Sequence, residues 1–227
     1  MIAQHTFRRV RLSLVALAAA TSVIATPAVA QDATPAVEIA PVSCFPSQDG
    51  GWTHPYAHPQ TEDPSASFYA VIEIPQGSIN KYEYDEYGFL ILDRVQSMPV
   101  TYPGNYGSIP SSAGGDGDPL DVLVLSRESI VPGTIVEVRA IAILHMIDGG
   151  ELDDKIVAVP ATDPDYDDIT DISQLPLVEQ QRIEQFFAVY KNLPEGRKSV
   201  ELNGFSDGEA ARTEVIAAIE NYSANCE

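Results

Sequence analysis

Three carboxylates fall within six residues, Asp116, Asp118 and Asp121, in the run Gly115-Asp116-Gly117-Asp118-Pro119-Leu120-Asp121-Val122-Leu123-Val124. Carboxylates crowded in this way repel one another unless cations sit between them, and hard oxygen ligands of this kind suit Mg²⁺, Mn²⁺ or Ca²⁺. Asp121 alternates with Leu120, Val122 and Val124, which predicts a strand with Asp121 on a polar face and its other face buried. Asp116 and Asp118 lie in the Gly/Pro turn before that strand, where side chains are free to converge. A D-x-D pattern alone also describes an ordinary solvated turn, so the chemistry depends on what the rest of the chain supplies.

Further polar side chains project from other apolar runs and their turns. The acids are Glu73, Glu83, Asp148 and Asp153; the bases are Lys81, Arg94, Lys155 and Lys191; the hydroxyls are Tyr102, Tyr106 and Tyr190. Acids in excess over bases are what metal-dependent phosphoryl transfer needs. Metals neutralise the acids and bridge phosphates, while Lys, Arg and Tyr hold the remaining oxygens.

These residues must be carried by strands and a late pair of helices. Phe68–Ile74, Lys81–Asp85 with Phe89–Arg94, Ile135–Leu144 and Lys155–Pro160 read as strands, the second and third forming a hairpin. Tyr102-Pro103-Gly104-Asn105-Tyr106-Gly107 reads as a rigid turn, and Asp148-Gly149-Gly150-Glu151 as the turn of a hairpin. Ile183, Phe186, Phe187 and Tyr190 follow the spacing of an amphipathic helix with Pro176 in its first turn. Ser206-Asp207-Gly208-Glu209 reads as a capping box opening a second helix that buries Ala211, Val215, Ala218, Ile219 and Tyr222. Many short strands followed by helices predict a mainly β (α+β) domain built as a small closed barrel over residues 67–227.

The first thirty residues differ in kind. Arg8, Arg9 and Arg11 precede the apolar run Leu12–Ala25 and the small-residue site Ala28-Val29-Ala30, the pattern of a cleaved signal peptide over residues 1–30. Arg8-Arg9 leaves both the general secretory and the twin-arginine routes open. The expected location is therefore outside the cytoplasm, periplasmic or secreted, with no membrane association once the signal is removed. Its removal takes three of the 13 Lys+Arg and none of the 33 Asp+Glu, leaving a net charge of −23. Such a surface repels nucleic acid and anionic lipid, so any anion site must be locally basic or metal-loaded. Residues 31–66 form a Pro-rich arm read as irregular structure draped on the domain, with His54 and His58 at the surface. The two cysteines, Cys44 and Cys226, stand near the ends of the mature chain, and in an oxidising compartment a disulfide is the simplest expectation. Closing a loop of about 180 residues is worth roughly 5 kcal/mol on chain-entropy grounds.

With these landmarks in order, the chain resembles a soluble family I inorganic pyrophosphatase. The family's D-x-D-P-x-D-V reads Asp116-Gly117-Asp118-Pro119-Leu120-Asp121-Val122. Val71–Pro75, Lys81-Tyr82-Glu83, Asp93-Arg94, Tyr102-Pro103 with Asn105-Tyr106-Gly107, Asp148 with Asp153 and Lys155, and Phe186-Phe187 with Tyr190-Lys191 follow in register. The resemblance implies an OB-type five-stranded β-barrel with two flanking α-helices, and hydrolysis of pyrophosphate to two phosphates with several Mg²⁺ ions, Mn²⁺ or other divalent ions being alternatives. It implies that Asp116, Asp121 and Asp153 hold the activating metal, and that Asp148 and Asp153, with Glu73, hold metals arriving with substrate. A metal-activated water would be the nucleophile and Asp118 its general base. Lys81, Arg94, Tyr106, Lys155, Tyr190 and Lys191 would bind phosphate, with Glu83 and Tyr102 orienting them.

The signal peptide and the Cys44 arm are additions to a family that is usually cytoplasmic. Ser108 stands where many members carry an aromatic residue. Gln185 and Val189 replace histidines found in some hexameric members, although a homo-oligomer remains the expectation. Two other readings stay open: a hydrolase of polyphosphate or nucleotides, and a secreted, non-catalytic barrel that binds divalent cations. A pure Ca²⁺ binder has no need of the basic and tyrosine residues.

Overall fold

Apolar residues two apart set the strands, and the computed structural model, which describes residues 41–45 and 53–226, orders them as follows. The strands β1 (Phe68–Ile74), β2 (Asn80–Tyr84), β3 (Leu90–Val95), β4 (Asn105–Ser108), β5 (Asp121–Val124), β6 (Ile135–Asp148), β7 (Glu151–Leu152) and β8 (Lys155–Pro160) precede helix α1 (Leu177–Val189), strand β9 (Val200–Ser206) and helix α2 (Gly208–Cys226). Pairing runs β1-β4-β5-β8-β6, and β6 pairs again with β1, so five strands close into a barrel, as expected. β7 and β9 extend the sheet from β6, and β2–β3 form a separate two-stranded ribbon. The described residues belong to one compact unit, Val37–Glu227. The signal peptide expected at residues 1–30 lies outside the described residues, and among these no helix is long and apolar enough to cross a membrane.

Both faces of the sheet are covered. Val122, Val124, Ile156 and Ala158 pack in one apolar cluster with Ala211, Val215 and Ala218 of α2. Leu123, Val157 and Val159, which alternate with them, pack in a second cluster with Ile183, Phe186 and Phe187 of α1. Each fully buried Val, Leu, Ile or Phe side chain in these clusters contributes roughly 1.5–3 kcal/mol, so most of the scaffold's stability comes from the apolar layers. The polar face expected for β5 is therefore confined to Asp121; Val122, Leu123 and Val124 are all fully buried.

Several local features depart from the sequence reading. Asn105, Tyr106 and Gly107, expected as part of a turn, belong to strand β4 between β1 and β5. It passes so close to β1 that a Cβ on Gly107 would lie 1.9 Å from the Val71 carbonyl oxygen. Strand β9 was not anticipated. Asp207, rather than Ser206, caps α2, accepting the Ala210 N–H at 2.9 Å. Ser206 is engaged by His145, whose other ring nitrogen meets Asp154. Pro176 immediately precedes α1 as its N-cap residue. Gly149 and Gly150, at φ +63° and +96°, make the tight β6–β7 turn that the Gly-Gly pair predicts.

The described part of the arm, residues 41–45 and 53–66, is more deeply seated than expected at His54 and Tyr56. His54 is buried, not at the surface. Its Nδ1 accepts the Tyr56 N–H at 3.1 Å, which leaves Nε2–H to donate to the Asp85 carbonyl at 2.9 Å. Tyr56, in the single turn Pro55–Ala57, is buried as well. Earlier in the arm Cys44 pairs with Cys226, their Cα atoms 5.3 Å apart.

Candidate active site

Strand register assembles the site. The parallel β5–β8 pair sets Asp121 beside Lys155, β4–β5 sets Ser108 beside Asp121, and β2–β3 sets Lys81 beside Arg94. Around these positions lies a cleft of about 470 Å³. Eight carboxylates line it: Glu73, Glu83, Asp85, Glu86, Asp116, Asp118, Asp121 and Asp153. Four cations, Lys81, Arg94, Lys155 and Lys191, face them, with Tyr102, Tyr106 and Tyr190 among the remaining wall. All but one of the residues singled out from sequence for chemistry thus converge on one cleft.

The exception is Asp148, which the cleft wall does not include. It stands at the end of β6 and is held by the ammonium of Lys191, which does reach the cleft. Its other oxygen, Oδ1, is buried without a hydrogen-bond partner among the described residues.

The ion pairs show how the excess charge is arranged. Lys155 is fully buried and its ammonium bridges Asp121 and Asp153. It therefore holds two of the expected metal ligands together, and it lines the cleft in which a phosphate contact is expected of it. Lys81 pairs with Glu83 and lies 3.6 Å from Asp93, and Arg94 donates to Asp93 at 2.6 Å. Glu73 is buried and accepts hydroxyl hydrogen bonds on one oxygen from Tyr56 at 2.8 Å and Ser108 at 2.7 Å.

One ammonium does not neutralise three neighbouring aspartates. Burial drives the Asp153 carboxyl upward, and Lys155 offsets this only in part. Burial together with the Asp121 charge raises Asp116 to about 6. Burial raises Glu73 to about 7 despite the two hydroxyl donors. For Lys155, burial acts to lower the value, but Asp121 and Asp153 together outweigh it and keep the ammonium charged.

This donor set fits hard divalent cations. It is all oxygen, carries a formal net charge of −4, and raises the proton affinity of its acids, while Asp148 Oδ1 has no other partner. Among the described residues no three acids already stand at metal-ligand spacing, and Lys155 and Lys191 lie on Asp121, Asp153 and Asp148 as counter-ions.

Raised carboxyl values make the metal-free protein pH-sensitive in a definite direction. Between about pH 4.5 and 7 the unfolded chain has released protons that folded Asp116 and Glu73 still hold, so these groups make stability fall as pH rises through that window. Thermal melts in chelator across this range should show that fall, and Glu73→Gln should flatten it. An unchanged slope in the variant would contradict the assignment.

Sequence reasoning missed the contributions of Ser43, Phe45, Tyr56 and Ser108 to the cleft wall. Ser43 and Phe45 flank Cys44, and Ser108 follows the Asn105-Tyr106-Gly107 landmark, but nothing local tied any of them to the site.

Residues 70–223 match the inorganic pyrophosphatase family. The chain is 45% identical over 158 residues to the inorganic pyrophosphatase of Haloferax volcanii, a match spanning 69% of this chain and 89% of that one. It is 47% identical over 154 residues to that of Halalkalibacterium halodurans, spanning 67% and 93%. The solved inorganic pyrophosphatase from Thermus thermophilus superposes with a TM-score of 0.72 at 42% identity, covering 75% of this chain and 99% of that one.

Proposed function

The chain belongs to the soluble family I inorganic pyrophosphatases, and on that premise we propose that its cleft hydrolyses pyrophosphate to two phosphates with Mg²⁺ as the working divalent ion. The observation that carries this reading is the meeting of eight carboxylates and four cations in one cleft. By itself such a cleft repels a tetra-anion; with divalent ions seated among the acids it attracts one.

Asp116, Asp121, Asp153 and Glu73 would hold the ions, with Asp148 entering through its contact to Lys191. When bound, these ions supply Lewis acidity toward the phosphoryl oxygens and the attacking water. The chain's own groups do the rest. Lys81, Arg94 and Lys191 carry mobile positive charge that can move from Glu83, Asp93 and Asp148 onto substrate oxygens. Burial keeps the phenols of Tyr106 and Tyr190 protonated, so they act as hydrogen-bond donors to phosphate. Asp118 takes the proton from water as the new P–O bond forms and the bridging P–O bond breaks. Its Oδ1 is occupied by Ser43, which leaves Oδ2 for that proton. Lys155 keeps Asp121 and Asp153 side by side.

The basic run before Leu12–Ala25 and the small-residue site at Ala28–Ala30 support export, and the Cys44–Cys226 pair suits a disulfide in an oxidising compartment. Phe89, Ile91, Leu92 and Val95 are exposed on one ribbon, which suits burial by another copy in a homo-oligomer. Phosphate release should be measured from pyrophosphate, polyphosphate and ATP across Mg²⁺, Mn²⁺ and Ca²⁺. Strong Mg²⁺-dependent release from pyrophosphate with little from ATP is expected; equal turnover of both would overturn the substrate assignment.

A further inference from the structure

Two of the site's carboxylates take hydrogen bonds from residues outside the family match, which begins at residue 70. Ser43 donates its hydroxyl to Asp118 Oδ1 at 3.0 Å, and its backbone N–H to the Gly117 carbonyl at 2.8 Å. Tyr56 donates to Glu73 Oε1 at 2.8 Å. The Ser43 contact is anchored from two sides. On one, Cys44 is joined to Cys226 at the end of α2. On the other, Phe45 stacks on His54 at 4.6 Å and meets the edge of Tyr56 at 5.0 Å, and Tyr56 packs against Tyr84 of β2 at 5.5 Å.

An aspartate in a Gly/Pro turn has a mobile carboxylate unless something fixes its rotamer. Asp118 has its backbone N–H on Asp116 Oδ1 at 3.1 Å, which orders the turn but not its own carboxylate. The Ser43 hydroxyl supplies the missing restraint, and the backbone bond to Gly117 ties the arm to the residue just before Asp118. We propose that Ser43 is a positioning residue for Asp118 and that the Cys44–Cys226 link sets its place, which makes the N-terminal arm part of the catalytic machinery. This rests on the reading of Asp118 as proton acceptor in pyrophosphate hydrolysis.

The test is steady-state pyrophosphate hydrolysis by the full chain, its Ser43→Ala and Ser43→Thr variants, each with and without reductant, well below the melting temperature of the reduced protein. Non-reducing peptide mass spectrometry establishes the linkage in each sample. Ser43→Ala is expected to lower kcat roughly tenfold, as removal of a group that orients an active-site ligand commonly does, with KM and melting temperature close to the parent. Ser43→Thr, which keeps the hydroxyl, should recover most of kcat. Reduction should lower the parent's kcat by a similar factor and leave Ser43→Ala unchanged, because both remove the same restraint. A parental kcat in Ser43→Ala, or equal losses in Ser43→Ala and Ser43→Thr, would overturn the positioning role. Full kcat in the reduced parent would overturn the part given to the link. An oxidised parent that releases no phosphate would instead overturn the reading of the site, and the inference with it.

Discussion

Replacing Asp121 by asparagine is expected to lower pyrophosphate hydrolysis by about a thousandfold, a loss of roughly 4 kcal/mol of transition-state stabilisation, while leaving the barrel folded. Asp121 is where three constraints meet. Its strand, β5, is buried on both faces beyond this residue, so the carboxylate is held in place by packing rather than by a loop. Its neighbour across the parallel pair is Lys155, and its neighbour across the antiparallel pair is Ser108. Its charge also adds to the rise at Asp116, Glu73 and Asp153. Asparagine keeps the shape and one acceptor oxygen but removes the charge that an incoming divalent ion needs. Circular dichroism should match the parent, because Lys155 retains Asp153 as a partner. Near-parental rates in the variant would contradict the placing of Asp121 at the metal centre.

Lys155→Met is expected to have the largest effect on stability, a loss of about 3 kcal/mol in chelator at pH 8. Its ammonium is fully buried against Asp121 and Asp153. Methionine fills similar volume, so packing is nearly conserved; what is lost is the cation that bridges two carboxylates. Removing one partner of a buried pair leaves the other uncompensated, which costs far more than replacing both by apolar groups. At pH 5 Asp153, whose carboxyl burial already drives upward, can relieve the strain by taking up a proton, so the loss should shrink there. Added Mg²⁺ should restore more stability to the variant than to the parent, because the ion takes over the ammonium's electrostatic task. Urea denaturation under the two pH conditions, with and without Mg²⁺, measures all of this. A variant as stable as the parent at pH 8 would show that Lys155 is not the counter-ion of the pair.

The chemistry of the site was legible in sequence because it is carried by short-range patterns. Asp116, Asp118 and Asp121 declare themselves by proximity, and the apolar runs of β1, β6 and β8 place their neighbours on strands. What sequence concealed was long-range. Ser43 reaches Asp118 across 75 residues, and no local pattern encodes that contact. β4 is built from Asn105, Tyr106, Gly107 and Ser108, turn-like residues that become a strand only because β1 and β5 pair with them from both sides. β9 does show partial alternation, with Val200 and Leu202 half-buried, but Gly204 at φ +80° interrupts it. His54 looked like a surface residue because prolines surround it, yet its two ring nitrogens are satisfied by backbone groups, which permits burial. Asp148, at the end of β6, meets the site through Lys191, a contact across 43 residues that no local pattern encodes.

The central claim is that these acids come together to share divalent cations. Crystals grown with Mn²⁺ and measured at its absorption edge locate such ions directly. Anomalous peaks are expected about 2.2 Å from carboxylate oxygens of Asp116, Asp121 and Asp153, with the Lys155 ammonium displaced from at least one of them. A fully occupied Mn²⁺ site elsewhere, with these three aspartates still paired only to Lys155, would contradict it.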